Sequence, residues 1–217
     1  MATYVPGTFA GLDGIGTDIQ RADIMGLTAT KAGSPSTAVV TWVGYDAPQS
    51  LIPDAASTSF ADHAEPELRR FQDGLGASHD PGPTNTTVIG HSYGTTVVGQ
   101  TARDLGLPAN NVVMVASPGV GVQHANQLHL DGVTPDQVGQ HIYSTKAATD
   151  PVPALTNFDN PLLDSVDPLG PDPTTGWFGG QRFDSDSSAP WSSHGDYWNP
   201  NSDSLRAMGN IIAGKRP

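Results

Sequence analysis

The segment Gly90-His91-Ser92-Tyr93-Gly94 follows the apolar run Thr87-Val88-Ile89 and precedes Thr95-Thr96-Val97-Val98. No other feature constrains the chain as strongly. A run of β-branched residues enters two glycines that bracket a serine, and a helix-compatible stretch leaves them. The backbone must therefore pass from strand to helix within a few residues. A serine at the apex of such a turn takes a strained conformation. Side chains at Gly90 or Gly94 would collide as strand and helix cross closely, and Gly99 extends this small-residue face. The competing reading is an ordinary glycine-rich turn, and the flanking strand and helix argue against it.

Strand and helix patterns alternate along the rest of the chain. Thr3 to Val5 is a short strand ended by Pro6-Gly7. Thr17 and Gln20 fit a capping box, and Ile15, Ile19, Ala22 and Met25 recur at helical spacing, which predicts a helix over 17–29. Residues 37–43 form a second strand. Phe60, Ala64, Leu68, Phe71 and Leu75 mark a second helical stretch, which Pro66 splits or reopens. Residues 85–89 are the third strand, 93–105 a helix stopped by Gly106, 111–116 a buried fourth strand, and 140–145 a fifth. After Asp150 the pattern dissolves into Pro, Gly, Asp and Ser until Asp203, which is placed to cap a helix carrying Leu205, Met208, Ile211 and Ile212. The expected fold is α/β: a three-layer sandwich with a mostly parallel central sheet of at least five strands, in one domain over 1–217.

Composition excludes several function classes. Asp and Glu outnumber Lys and Arg by 22 to 10, for a net charge of −12. Such a surface repels phosphate backbones, and no basic run or basic helix face relieves it, so no nucleic-acid partner is expected. With no cysteine, the chain carries no disulfide, thiolate chemistry or Cys-based zinc site. Asp184 and Asp186 with their neighbouring serines fit no calcium-loop spacing, so no metal or other cofactor is expected. No apolar run reaches the ~18 residues of a membrane span. The N-terminus does not read as a signal peptide. The expectation is a soluble chain, either cytoplasmic or exported after loss of a leader, with no integral membrane contact and an undetermined oligomeric state.

The glycine-bracketed serine matches the G-x-S-x-G nucleophile elbow, whose required context is this strand–turn–helix. A serine needs a base at neutral pH, and where this elbow occurs the chain order is Ser, acid, His. For His124 and His129 the only intervening acid is Asp104, on the helix leaving the elbow. His141 lies in the predicted fifth strand. His194 alone follows a strand-end acid, and it sits in the loop Ser192-Ser193-His194-Gly195. Asp150, kept extended by Pro151, is the favoured acid. Its competitors are Asp159, Asp164, Asp167, Asp172, Asp184 and Asp186, mostly in turn-rich loop.

An oxyanion hole needs two N–H donors. The backbone of Tyr93 supplies one. The loop Pro6-Gly7-Thr8-Phe9 supplies the other through Thr8 or Phe9, with Thr8 preferred and its hydroxyl a potential third donor. Phe9, His91, Ser117, Trp177 and Phe178 are candidate pocket-lining residues. Trp177, Phe178, Phe183 and Trp191 form either a lid or acyl-binding wall, or simply pin an irregular segment onto the sheet.

Six stretches occur in order along the chain: Thr41-Trp42-Val43-Gly44-Tyr45-Asp46-Ala47-Pro48, Gly90 to Gly94, Ser117 to Gly121, Asp150-Pro151-Val152, Phe178 to Phe183, and His194 to Tyr197. In them the chain resembles an actinobacterial α/β-hydrolase family long catalogued as a domain of unknown function. The resemblance implies a serine hydrolase carrying Ser92, Asp150 and His194, and a role near the pocket for the Trp-Val-Gly-Tyr-Asp-Ala-Pro segment. Gly195 departs from the family pattern, where a serine follows the histidine, which suggests a looser His194 loop.

The expected activity is hydrolysis of small-molecule or lipid carboxylic esters through an acyl-enzyme, with short or flexible acyl groups favoured. Amidase or peptidase, lipase-like and acyltransferase chemistry on the same triad are the alternatives, as is a catalytically silent ligand-binding member of the fold.

Overall fold

The structure, a computed structural model, describes residues 1–50, 57–79, 84–152, 169–186 and 192–217. Six strands form one sheet: β1 (Ala2–Val5), β2 (Val39–Thr41), β3 (Thr87–His91), β4 (Asn111–Val115), β5 (Ile142–Thr145) and β6 (Gln181–Arg182). Their order is β2-β1-β3-β4-β5-β6, and every pairing is parallel. Sequence periodicity did not show β6. It is two residues long and exposed, so it has no apolar alternation to read.

Helices cover both faces. Val5, Val88, Val112, Met114 and Ile142 point to the layer formed by α2 (Ser59–Ser78) and α3 (Tyr93–Asp104). Tyr4, Ile89, Val113, Val115 and Tyr143 point to the layer formed by α1 (Ile15–Lys31) and α4 (Asp203–Ile212). Alternate strand residues thus build two cores, the consequence of a period-2 pleat covered on both sides. This is the predicted three-layer α/β sandwich.

Several boundaries differ from the sequence reading. Helix α1 begins at Ile15 after Gly14, so Thr17 lies inside the first turn and is no cap. Its buried face is Asp18, Ala22, Met25 and Ala29, while Ile19 is 45% exposed. Helix α2 runs unbroken through Pro66. Pro66 is exposed, so the Asp62 carbonyl that loses its N–H partner faces the solvent side of the helix. Strand β2 stops at Thr41, although the Trp42 N–H still donates to the Tyr4 carbonyl of β1 at 2.8 Å. Ser202, not Asp203, caps α4: its Oγ accepts the Leu205 N–H at 3.2 Å. Asp186 supports the same helix start by accepting the Asp203 N–H at 2.8 Å. Among the described residues no helix is long and apolar enough to cross a membrane.

Candidate active site

Ser92 sits between the end of β3 and the first residue of α3, at φ 53° and ψ −131°. Few non-glycine residues adopt this backbone, and surrounding contacts must hold it there. The Ser92 N–H donates to the Val115 carbonyl (2.9 Å), and the Ser92 carbonyl accepts the Thr95 N–H (2.9 Å) and Thr95 Oγ1 (2.7 Å). A Cβ on Gly94 would lie 2.1 Å from the Val5 carbonyl oxygen, and one on Gly90 2.7 Å from Thr95 Cα. The two glycines are therefore steric requirements of the crossing. Gly7 is a third. Its Cβ would lie 2.7 Å from the His91 carbonyl oxygen and 2.8 Å from Ser92 Cβ. The loop after β1 thus passes in direct contact with the serine.

His194 and Asp150 meet across 44 residues. His194 Nδ1 is 3.0 Å from both Asp150 carboxylate oxygens. Asp150 also accepts the Tyr197 hydroxyl (2.7 Å) and the Val152 N–H (3.0 Å). Burial by itself would raise the Asp150 pKa. The His194 hydrogen bond and charge, with the Tyr197 and Val152 donors, outweigh it and hold the carboxyl below its usual value. An ionised Asp150 requires Nδ1 to carry the proton, so in neutral His194 the lone pair is on Nε2. The Tyr197 hydroxyl is doubly used, because it accepts the Ala147 N–H at 2.8 Å while donating to Asp150.

The other acids are differently placed. Asp172 accepts from Thr174 and pairs with Lys146, Asp186 holds α4, and Asp104 pairs with Arg103. Asp159, Asp164 and Asp167 lie outside the described residues, as does Trp191.

A cleft of about 430 Å³ contains Ser92 and His194. Pro6, Gly7, Thr8, Phe9 and Ala10 form one wall, and Thr17, Asp18 and Arg21 of α1 contribute to another. Pro151, Val152 and Gly195 complete the lining with His91. Among the described residues no hydrogen bond joins Ser92 to His194, whose imidazole is held through Nδ1 by Asp150.

Of the predicted oxyanion donors, the Tyr93 N–H is the first amide of α3 and has no intrahelical partner. Its side chain leaves the cleft: the hydroxyl donates to the Ser57 carbonyl (2.5 Å) and accepts the Ala61 N–H (3.3 Å). The Phe9 N–H is committed to the Pro48 carbonyl (2.9 Å), which leaves Thr8 of the two loop candidates. Thr8 Oγ1 is buried and has no partner among the described residues.

The predicted pocket residues divide. Phe9, 58% exposed and at φ 66°, and His91 line the cleft. Ser117, Trp177 and Phe178 do not. Ser117 lies behind the elbow, 2.6 Å from Thr95 Oγ1 and accepting the Gly119 N–H. Phe178 is fully buried in the α2–α3 core, and Trp177 is 56% exposed away from the cleft. The pinning alternative thus describes Phe178, because burying the ring in the existing core removes more apolar surface from water than a cleft wall would. Gly195 has an ordinary φ of −106°, and its N–H donates to the Ser192 carbonyl at 2.9 Å.

Sequence reasoning missed Tyr197, Arg21 and the structural use of His91. The His91 Nε2–H donates to the His194 carbonyl at 2.9 Å. Its ring packs 4.8 Å from that of His194 and 4.9 Å from that of Trp198, and the Arg21 guanidinium lies 4.5 Å over Trp198. Burial, with the neighbouring His194 and Arg21, pushes the His91 pKa well down, so the ring stays neutral. The only available signal was proximity in sequence, His91 beside the serine and Tyr197 three residues after His194.

Comparisons with known proteins agree with this architecture. A family model described as "Alpha/beta hydrolase" matches residues 13–160. An uncharacterized Mycobacterium tuberculosis protein is 32% identical over 98% of this chain, which covers 35% of that protein. An uncharacterized Mycobacterium bovis protein is 39% identical over 52% of this chain, covering 42% of its own length. The chain thus spans about a third to two-fifths of the curated relatives it matches. Among solved structures, the esterase LipW from Mycobacterium marinum superposes with a TM-score of 0.52 at 18% identity, covering 98% of this chain and 72% of that one. Such a likeness shows the shared fold alone. With the family model matching well over half of the residues, the chain belongs to the alpha/beta hydrolase family.

Proposed function

We propose that the protein is a serine hydrolase that cleaves carboxylic esters through an acyl-enzyme, with Ser92, His194 and Asp150 as its triad. The observation that carries this reading is the His194–Asp150 pair: an imidazole oriented through Nδ1 by a buried carboxylate, in the cleft that holds a strained serine. His194 Nε2 takes the Ser92 proton as Oγ bonds to the ester carbonyl carbon. The same proton passes to the leaving alkoxide as the carbon–oxygen bond breaks. Water, deprotonated by His194, then adds to the acyl-enzyme and Ser92 leaves with the proton. Asp150 stabilises the imidazolium formed in both steps. The Tyr93 and Thr8 amides donate to the oxyanion, and the unpartnered Thr8 hydroxyl is available as a further donor. Removing one such donor elsewhere costs about 2.7–4 kcal/mol.

The test is hydrolysis of p-nitrophenyl esters from acetate to palmitate, with fluorophosphonate labelling of wild type and Ser92→Ala in parallel. Turnover and labelling that both disappear in Ser92→Ala are expected, with the highest rates on short acyl chains. A labelled Ser92→Ala protein overturns the nucleophile, and labelling without turnover on any ester points to an amidase, an acyltransferase or a silent binding member.

A further inference from the structure

The segment Thr41 to Pro48 is not used by the triad, yet it touches the oxyanion loop twice. The Tyr45 hydroxyl donates to the Pro6 carbonyl at 2.7 Å. The Pro48 carbonyl accepts the Phe9 N–H at 2.9 Å. These bonds bracket Gly7, which passes against Ser92, and Thr8, which lines the same cleft.

The rest of the segment supports Tyr45. The Trp42 ring stacks on the Tyr45 ring, with centroids 5.8 Å apart and planes 9° apart. It also packs on Phe71 of α2 at 6.3 Å. Gly44 is what allows the stack, since a Cβ there would lie 2.6 Å from the Trp42 ring. Ala47 is buried before Pro48. Burial also pushes the Tyr45 phenol up, which keeps its proton in place for donation.

We infer that Tyr45 and Pro48 are positioning residues of the oxyanion hole, clamping the Pro6–Phe9 loop from both sides so that Thr8 is held against Ser92. The clamp rests on the hydrolase reading above. It matters because an oxyanion donor works through preorganisation: a loop free to relax by a fraction of an ångström stabilises the transition state less while still admitting substrate. The first clamp bond is made by a side chain and can be removed alone. The second is backbone to backbone and reports on the loop's order.

Tyr45→Phe deletes the first bond and keeps the Trp42 stack. The expected result is a fall in kcat of about tenfold with KM within about twofold, because the loss falls on the transition state. The inhibition constant of an alkylboronic acid, whose tetrahedral adduct on Ser92 carries the oxyanion charge, is expected to rise by the same factor. Gly44→Ala, which displaces the Trp42 ring, is expected to behave similarly. Unchanged kcat and boronate affinity in Tyr45→Phe overturn the inference. So does a loss of activity that only follows a lowered Tm.

A readout independent of turnover separates this inference from the hydrolase reading. Amide hydrogen exchange at Phe9 is expected to accelerate in Tyr45→Phe as the loop loosens. If wild type neither turns over esters nor labels, the hydrolase reading fails, and unchanged Phe9 exchange would then show that the clamp fails as well.

Discussion

The His91 Nε2–H donates to the backbone carbonyl of His194 at 2.9 Å. The residue before the proposed nucleophile therefore holds the proposed base, across 103 positions of chain. The bond serves only while His91 is neutral and its proton is on Nε2, the form favoured by its burial beside Arg21 and His194. His91→Phe keeps an aromatic ring against Trp198 but loses the donor. It is expected to lower kcat by about tenfold, with KM little changed, because a misplaced base raises the barrier without weakening substrate binding. His91→Gln, whose amide nitrogen reaches about as far as Nε2, is expected to recover most of that loss. Steady-state kinetics of the two variants side by side checks this, and equal impairment of both would contradict it.

Tyr197 links the carboxylate of Asp150 to the backbone after β5 by donating to one and accepting from the other. Tyr197→Phe leaves the buried Ala147 N–H without its partner and removes one donor from Asp150. The expected stability cost is ~1–3 kcal/mol, the usual range for an orphaned buried donor. The Asp150 carboxyl loses a hydrogen bond that lowers its pKa, so its pKa moves up. Stability that depends on ionised Asp150 is present above its unfolded pKa and lost as pH falls through the folded one. The variant is therefore expected to lose that stability at a higher pH on acid titration than wild type. Urea unfolding across pH 3–7 measures both effects, and identical acid profiles would argue against the link.

Two glycines in the cleft are predicted to respond in opposite ways. Gly7→Ala places a methyl group 2.7–2.9 Å from the His91 carbonyl oxygen, Ser92 Cβ and the Tyr93 nitrogen. It is expected to reduce labelling of Ser92 at least a hundredfold, because the elbow has no room to move. Gly195 has an ordinary φ, and its nearest neighbours to a new Cβ are at 3.6 and 3.7 Å. Gly195→Ala is expected to keep full activity and gain about 0.4–1 kcal/mol through a stiffer unfolded chain. Fluorophosphonate labelling rates and thermal melts of both variants decide the matter.

Glu65 on α2 is buried facing Asp104 and Arg103. Burial first, and then the Asp104 charge, push its carboxyl up to about 7 against the partial relief from Arg103. A raised folded pKa contributes stability in the protonated form, fully below the usual value of 4.5, and loses it as pH rises through 7. Glu65→Gln is expected to match wild type near pH 4 and exceed it above pH 7. The gap should be on the order of 1 kcal/mol, less than the full shift implies because solvent screens part of the interaction. Melting curves at pH 4, 6 and 8 test this, and a gap independent of pH would remove Glu65 as its source.

Local pattern by itself determined the alternation of strands and helices and the strand–turn–helix at Ser92. Apolar periodicity and close-packed glycines are written within a few residues of where they act, so they can be read without the fold. Strand β6 escaped because two exposed residues carry no period, and Thr17 was misread as a cap because its neighbours alone do not locate the helix start. The tertiary structure decided the rest. Phe178 entered the core and left the cleft, the Phe9 amide went to Pro48, and Tyr45, His91 and Tyr197 acquired partners 39, 103 and 47 residues away. Hydrogen bonds of that reach depend on which strand ends the parallel sheet brings together, and no local spacing encodes them.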